Sequence, residues 1–510
     1  MDYALLLEWK TYRQTFLNTS NEGIGDQYMD HNSQHNSVNI DYTEPMDKML
    51  SDVSYAAIID TEPEAQESGA QSGRQLQQQS RLVVVSGRSQ RIVQNILDFG
   101  FGGDRKADDQ LRTLLDNAFE GKSRTNGSNR VTDDDLWRGF AVFTRTTDGN
   151  RFQQISRHIA RQSAQNKPSI WFMFSAIRPG IARSVPALMT IPAFKASVEV
   201  SAQLLSPLGV DAIECLTDTT DWMTAFSKPY VHRVLIATIV HHMAFVDTLK
   251  AVGITADGYL GASLGELMCL YMDGLCDRRQ CLAICRAFRP PAGPHPLWSL
   301  RATNAWPEIR SHCANRPDIC VSTHFADTFV IACGTEAAVR QLRDVLPDNK
   351  VVDVGPKHDY MHAGNAFAPD MGQALVDQFT KVVPERTRTK PSQRWLFTTE
   401  PTLPMANTGG GANTGFSAAE CLANTALSPI LLMEAIDRLP ADALVVYVKT
   451  DSRLRDVVLS GRPQELYVKE SVESTPESVF GINHLLREIG LVFTAGHWPR
   501  VHDLVKANNY

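Results

Sequence analysis

A serine held between two glycines is the chain's clearest chemical group. Residues 259–266 read Tyr-Leu-Gly-Ala-Ser-Leu-Gly-Glu and contain a Gly-x-Ser-x-Gly pentapeptide centred on Ser263. Such a stretch lets a strand end, turn sharply through a strained residue and enter a helix. The turn thrusts the serine hydroxyl out at the helix N-terminus, where backbone N–H groups can receive a developing oxyanion. Glycines flank the serine because Cβ atoms would clash at so tight a bend. At average glycine and serine usage the pattern arises by chance in roughly one chain of this length in ten, so its context has to carry the argument.

The other candidate groups are weaker. Nine cysteines occur without a Cys-x-x-Cys pair, which fits reduced thiols rather than a disulfide framework. Cys281 and Cys285 share one helix face at i, i+4 and read as packing rather than as metal ligands. With 50 basic and 57 acidic residues the net charge is −7, and neither a basic excess for nucleic acid nor an acidic tail is present. Met1-Asp2-Tyr3 and the short apolar run after it lack the form of a signal peptide. The longest apolar stretch, Val234 to Val246, is bracketed by Arg233 and Asp247 and interrupted by His241 and His242. It is too short to span a bilayer and reads as a buried helix. A cytoplasmic protein of two to four domains is expected, with no membrane and no nucleic-acid partner.

The elements that must position Ser263 follow from hydrophobic pattern. Residues 1–17 have the pattern of a short helix, but 18–80 are rich in Asn, Gln, Ser, Asp and Glu, and 1–80 read as a disordered leader. Residues 81–167 read as a small α+β domain, with strands at Leu82–Val85 and Trp137–Phe143, a helix from Ile92, and a second helix near 109–119. A large α/β unit is expected over 168–297 and 357–450. It opens with the strand at 168–175, continues through helices near 183–205 and 228–251, and enters the serine turn. A helix near 366–382, a strand at 394–397, a helix at 429–438 and the strand Leu444–Val448 complete it. Alternating strands and helices argue for a parallel sheet covered on both faces, with Ser263 at the strand ends where such sheets place ligands. Between the two halves, residues 298–356 carry a βαββαβ order that reads as an inserted ferredoxin-like subdomain. Residues 451–510 read as a polar closing segment with a helix at 481–496.

This order of elements resembles the acyltransferase segment of animal fatty acid synthase and related polyketide synthases, preceded by the linker that joins a ketosynthase to it. Leu82–Gly87 and Trp137–Phe143 resemble the linker's strands; Trp171–Ser197, Asp257–Asp273 and Ser417–Ala435 align without gaps. The resemblance implies a parallel-sheet α/β core of the malonyl-CoA:ACP transacylase type with its ferredoxin-like insertion. It also implies transfer of a malonyl or acetyl group from coenzyme A to the phosphopantetheine thiol of an acyl carrier protein, through an acyl-serine. No bound cofactor is implied. Other segments of such a synthase are further partners. A fragment of a longer synthase, a stand-alone subunit and a decayed gene copy all stay open.

Carried over position by position, the resemblance makes Ser263 the nucleophile and the Leu264 N–H one oxyanion donor. The second donor falls on Gly180, in a loop where Arg178 and Pro179 replace small residues. The family histidine before the nucleophile is Ala262, and the arginine that grips a malonyl carboxylate is Phe288, a substrate-binding position. His358 is favoured as the general base, with Tyr360 and His362 as alternatives. Asn424 stands where an asparagine supports that histidine, and a Gly-Pro-His turn is replaced by Lys449-Thr450-Asp451. Two readings follow. One is an impaired acyltransferase; the other is a non-catalytic scaffold or carrier-docking module. A serine hydrolase of the α/β type is a third, disfavoured by the insertion.

Overall fold

The computed structural model describes residues 53–61, 79–99, 136–145, 152–162, 167–174, 181–219, 231–290, 293, 295–357, 359–368, 370–383, 392–399, 417–448 and 480–506. The expected helix near 109–119 lies outside them.

The N-terminal unit is an antiparallel meander of β1 (Val53–Thr61), β2 (Ser80–Gly87), β3 (Leu136–Arg145) and β4 (Phe152–Gln162). Its first strand corrects the expectation of a disordered leader through residue 80. Thr61 pairs with Ser80 and Val53 with Gly87, so β1 is ordered along the whole of β2. The apolar content of Val53–Thr61 suffices for a strand only when a partner supplies the ladder. Helix α1 (Gln90–Phe99) covers one face through Val93, Ile96 and Leu97, against Val83, Val85, Ala141 and Phe143. Gly139 lets it lie close, since a Cβ there would stand 2.6 Å from Val93.

The other face of the meander packs on α12 (Phe480–Thr494), the helix expected near 481–496. Far from closing a polar tail, residues 481–494 are buried. Gly490 sits so near Phe140 that a Cβ would come within 2.4 Å of its ring. Several of the helix's polar groups find partners on the strands beside it or on the helix itself. The Ser80 hydroxyl donates to Asn483 at 2.7 Å, the His484 Nε2–H to the Tyr447 carbonyl at 2.6 Å, and Arg487 to Glu488 at 3.3 Å.

The central sheet is parallel, ordered β11 (Trp395–Leu396), β6 (Gly258–Gly261), β5 (Ile170–Phe174), β13 (Leu444–Val448). Both β5 and β13 are buried along their whole length, as continuous apolar runs require in a sheet covered on both faces. Around it lie α2 (Ile181–Leu188), α3 (Pro192–Leu205), α4 (Val231–Ala251), α5 (Gly265–Met272) and α6 (Arg278–Ala287). The single helix expected at 183–205 is broken in two because Pro192, lacking an N–H, starts a new one. Helix α4 is long and apolar enough to cross a membrane, yet most of it is enclosed by the surrounding elements.

The inserted unit runs β7 (Leu297–Ala302), α7 (Trp306–Cys313), β8 (Ile319–Ala326), β9 (Phe329–Gly334), α8 (Glu336–Val345), β10 (Val351–Lys357). Its sheet order is β10-β7-β9-β8, and β12 (Ile430–Leu431) from the core adds a fifth, parallel strand beside β8. After the insertion come α9 (Met371–Thr380), α10 (Ala418–Leu427) and α11 (Leu432–Ile436). The helix expected at 429–438 is the shorter α11, and α10 precedes it. A reciprocal capping box of Ser417 and Glu420 starts α10, and β12 takes residues that would have opened the later helix.

Candidate active site

Strand β6 ends at Gly261, and Ser263 follows with φ of 52° before α5 begins at Gly265. The Ala262 N–H donates to the Phe174 carbonyl at 3.0 Å, tying the turn to the end of β5. Both glycines are demanded by this geometry. A Cβ on Gly261 would lie 2.3 Å from the Gly265 carbonyl, and one on Gly265 would lie 2.3 Å from the Phe174 carbonyl oxygen. Neither neighbour is a flexible side chain, so neither can give way. Ala262 is buried and belongs to the apolar cluster between core and insertion, with Met173, Leu260 and Ala363.

Ser263 Oγ lies 3.0 Å from His362 Nε2. The other ring nitrogen, Nδ1, faces the Ser428 carbonyl at 3.2 Å, and a carbonyl can only accept. That contact puts the proton on Nδ1 and leaves the Nε2 lone pair for the serine hydroxyl, the tautomer a general base needs. Ser428 is itself fixed, its N–H donating to the Asn424 carbonyl and its hydroxyl to Asn424 Oδ1, each at 2.8 Å. Among the described residues four that are not glycine have positive φ: Ser263, His362, Asn304 and Asn315. Asparagine tolerates that region; serine and histidine are held there at a cost of order 1–3 kcal/mol each. The two strained residues are the two that face each other.

The favoured base, His358, lies outside the described residues, and the imidazole that reaches Ser263 belongs to His362. Tyr360 is turned away, its hydroxyl donating to the His295 carbonyl at 2.6 Å. The second oxyanion position, Gly180, also lies outside the described residues, as do Arg178 and Pro179. Leu264, the first, stands at the start of α5, and its N–H has no acceptor among the described residues. Elsewhere in the core, His241 is a packing residue: burial holds its imidazole down to about 4, hence neutral.

A cavity opens beside the serine, with about 60 Å³ in which the centre of a water-sized sphere can move. That is several times the ~10–15 Å³ one water needs. Its walls are largely apolar, formed by Leu235, Leu267, Ile284, Cys285, Phe288 and Phe379 among others, with no lysine or arginine among the described lining residues. Phe288 stacks on Phe379 with ring centres 6.2 Å apart and planes within 7°. Arg289 is turned onto the backbone carbonyls of residues 286–288 instead. Cys285 is buried and inert as a nucleophile, its thiol pushed far above the ordinary range by desolvation. All nine cysteines are free.

Glu266, the residue after the motif, was not singled out by sequence and proves to be the elbow's anchor. Its carboxylate is fully buried and accepts from the Thr398 N–H, the Thr398 hydroxyl and Trp395 Nε1, each at 2.7 Å. Desolvation pushes its carboxyl up to about 7, against the pull of those hydrogen bonds from Thr398 and Trp395. The folded value therefore exceeds the unfolded one. The stabilisation linked to protonation is complete below about pH 4.5 and is lost as pH rises through about 7. It amounts to about 3 kcal/mol at most. Urea unfolding from pH 5 to 8 is expected to show stability falling with pH in the native chain and a flatter profile in Glu266→Gln; equal slopes would remove Glu266 as the cause.

No family model matches the chain. Among solved structures, the acyl transferase domain of ZmaA is similar at 15% identity and a TM-score of 0.57, over 83% of this chain and 95% of that one. The acyltransferase domain of the polyketide synthase PpsC of Mycobacterium tuberculosis aligns at 17% identity and a TM-score of 0.44, over 59% of this chain and 92% of its own. The malonyl CoA-acyl carrier protein transacylase from Coxiella burnetii aligns at 14% identity and a TM-score of 0.43, over 57% and 91%. The fold is that of the acyltransferase domains: a parallel α/β core carrying a ferredoxin-like insertion.

Proposed function

We propose that this chain is a serine acyltransferase that moves a neutral acyl group from coenzyme A to the phosphopantetheine thiol of an acyl carrier protein. The observation that carries the proposal is the pairing of Ser263 with His362 at 3.0 Å, both on strained backbone. In the first half-reaction His362 Nε2 takes the Ser263 proton as Oγ bonds to the thioester carbonyl carbon. The oxyanion is received at the Leu264 N–H. Collapse breaks the C–S bond, and the imidazolium returns its proton to the departing coenzyme A sulfur, leaving acyl-Ser263. The carrier thiol then gives its proton to His362 and attacks the ester, and the proton passes to Ser263 Oγ as the acyl group leaves. Acyl-CoA and the carrier are substrates in this scheme, which calls for no resident cofactor.

The cargo follows from the cavity. A malonyl carboxylate set against this lining, which has no cation among its described residues, would remain unpaired there at a cost of several kcal/mol. A neutral chain instead gains about 0.8 kcal/mol for each methylene buried. A carrier-docking module without turnover is the second reading, favoured by Phe288 and Ala262, which fill the family's arginine and histidine positions with apolar groups. Steady-state transfer from acetyl-, butyryl- and malonyl-CoA to a phosphopantetheinylated carrier separates them. Parallel double-reciprocal lines with a neutral donor support the transferase; carrier binding without turnover of any donor supports the module.

A further inference from the structure

We propose that Asp359, anchored by Lys357, is the positioning residue for the base: it sets the left-handed turn that presents His362 to Ser263, at the point where the inserted unit rejoins the core. The inference rests on the transferase reading of the Ser263–His362 pair.

Lys357 is the last residue of β10 and pairs with Leu297, the first residue of β7, so it marks the exit of the inserted sheet. His362 follows five residues later. Between them, Asp359 Oδ1 accepts from Lys357 Nζ at 2.9 Å and from the Met361 N–H at 3.0 Å. The second contact closes a side-chain turn two residues long, and the residue after it is His362 with φ of 59°.

A histidine holds a left-handed backbone only where its surroundings fix it from both sides. Downstream, His362 is fixed by α10: its N–H donates to the Ala426 carbonyl at 2.8 Å and Nδ1–H to the Ser428 carbonyl at 3.2 Å. Upstream, the Asp359 turn supplies the other hold. The Lys357 side chain is only 3% exposed, and an ammonium is kept in such a place when a carboxylate meets it. The pair therefore fixes the turn to the inserted sheet. The acceptor side is joined to the same sheet, because Ser428 leads into β12, which pairs with β8. Both halves of the base's support meet the insertion, whereas Ser263 stands on the core. Without Asp359 the turn relaxes and Nε2 drifts from Oγ, and a displacement of about 1 Å costs on the order of 10²-fold in rate.

The test uses the full chain with Asp359→Ala, Asp359→Asn and Lys357→Met, reading kcat and KM for acyl transfer and the ¹⁵N signals of the His362 ring. Asp359→Ala is expected to lower kcat by about 30- to 100-fold, to leave KM within about threefold, and to shift the ring signals. Asp359→Asn keeps an Oδ1 acceptor for Met361 and is expected to recover most of the rate, with Lys357→Met in between. A folded Asp359→Ala chain with kcat within about threefold of native and unmoved ring signals overturns the inference. Should the native chain transfer no acyl group, the transferase reading fails, and the ring signals alone then decide whether Asp359 positions His362.

Discussion

Replacing His362 with alanine is expected to slow acyl transfer by about 10⁴-fold, while the variant keeps its native melting transition within a few degrees. The serine hydroxyl is a poor nucleophile with its proton in place, and His362 Nε2 at 3.0 Å is the acceptor that can take that proton. What survives is the contribution of the Leu264 N–H and of binding. His358→Ala is the companion experiment, because the family resemblance favours His358 as the base; it is expected to leave the rate within about threefold of native. Initial rates with a neutral acyl-CoA and the carrier, taken on both variants at equal folded concentration, check the assignment. A reversal of the two effects would move the base to His358.

Phe288→Arg carries the second large effect. The residue lines the cavity beside Ser263 and stacks on Phe379, so an arginine there would project its planar cation toward the acyl chain while its stem covers the same ring. A charge-assisted, two-pronged contact to a carboxylate is worth about 2–5 kcal/mol where water is excluded. The ratio of kcat/KM for malonyl-CoA to that for butyryl-CoA is accordingly expected to rise by at least about 30-fold. Most of the change should come from malonyl gained, and some from butyryl lost as a desolvated cation faces hydrocarbon. A folded variant with an unchanged ratio would mean that the acyl group does not enter this cavity.

The serine turn was legible in the sequence because its constraint is local. Gly261 and Gly265 are fixed by backbone atoms within a few residues or on the adjoining strand, and no distant element has to be known to read them. Strands β5 and β13 were legible for a similar reason: a run buried on both faces is apolar at every position. The base was harder to find. Nothing in residues 357–363 says which side chain turns inward. The choice is made by Ala426 and Ser428, more than sixty residues onward, whose carbonyls receive the His362 N–H and Nδ1–H. Any alignment through this stretch crosses the short helix at Gly364–Phe367 and the Asp359 turn, where a gap of a few residues has no local signature.

Two longer segments were misread by composition. Strand β1 lies in a polar stretch and owes its order to β2, nineteen residues away at the near end. Helix α12 carries Asn483, His484, Arg487 and Glu488 yet is buried, because those groups are met by Ser80, Tyr447 and one another. Polar residues signal exposure only when their partners are water. The same reasoning recasts the site. Ala262 and Phe288 looked like losses from a catalytic constellation. Beside an intact Ser263–His362 pair, Phe288 is instead part of the apolar lining of the cavity, and Ala262 packs in the cluster between core and insertion.

The central claim is that Ser263 carries the acyl group. Brief incubation of the native chain with butyryl-CoA, acid quenching and mass analysis of the peptide spanning Ser263 test it directly. A butyryl mass increment on Ser263, discharged when a phosphopantetheine-bearing carrier is added before the quench and absent from Ser263→Ala, is the predicted result. An unmodified Ser263 peptide after incubation with neutral and carboxylated donors alike would contradict the account.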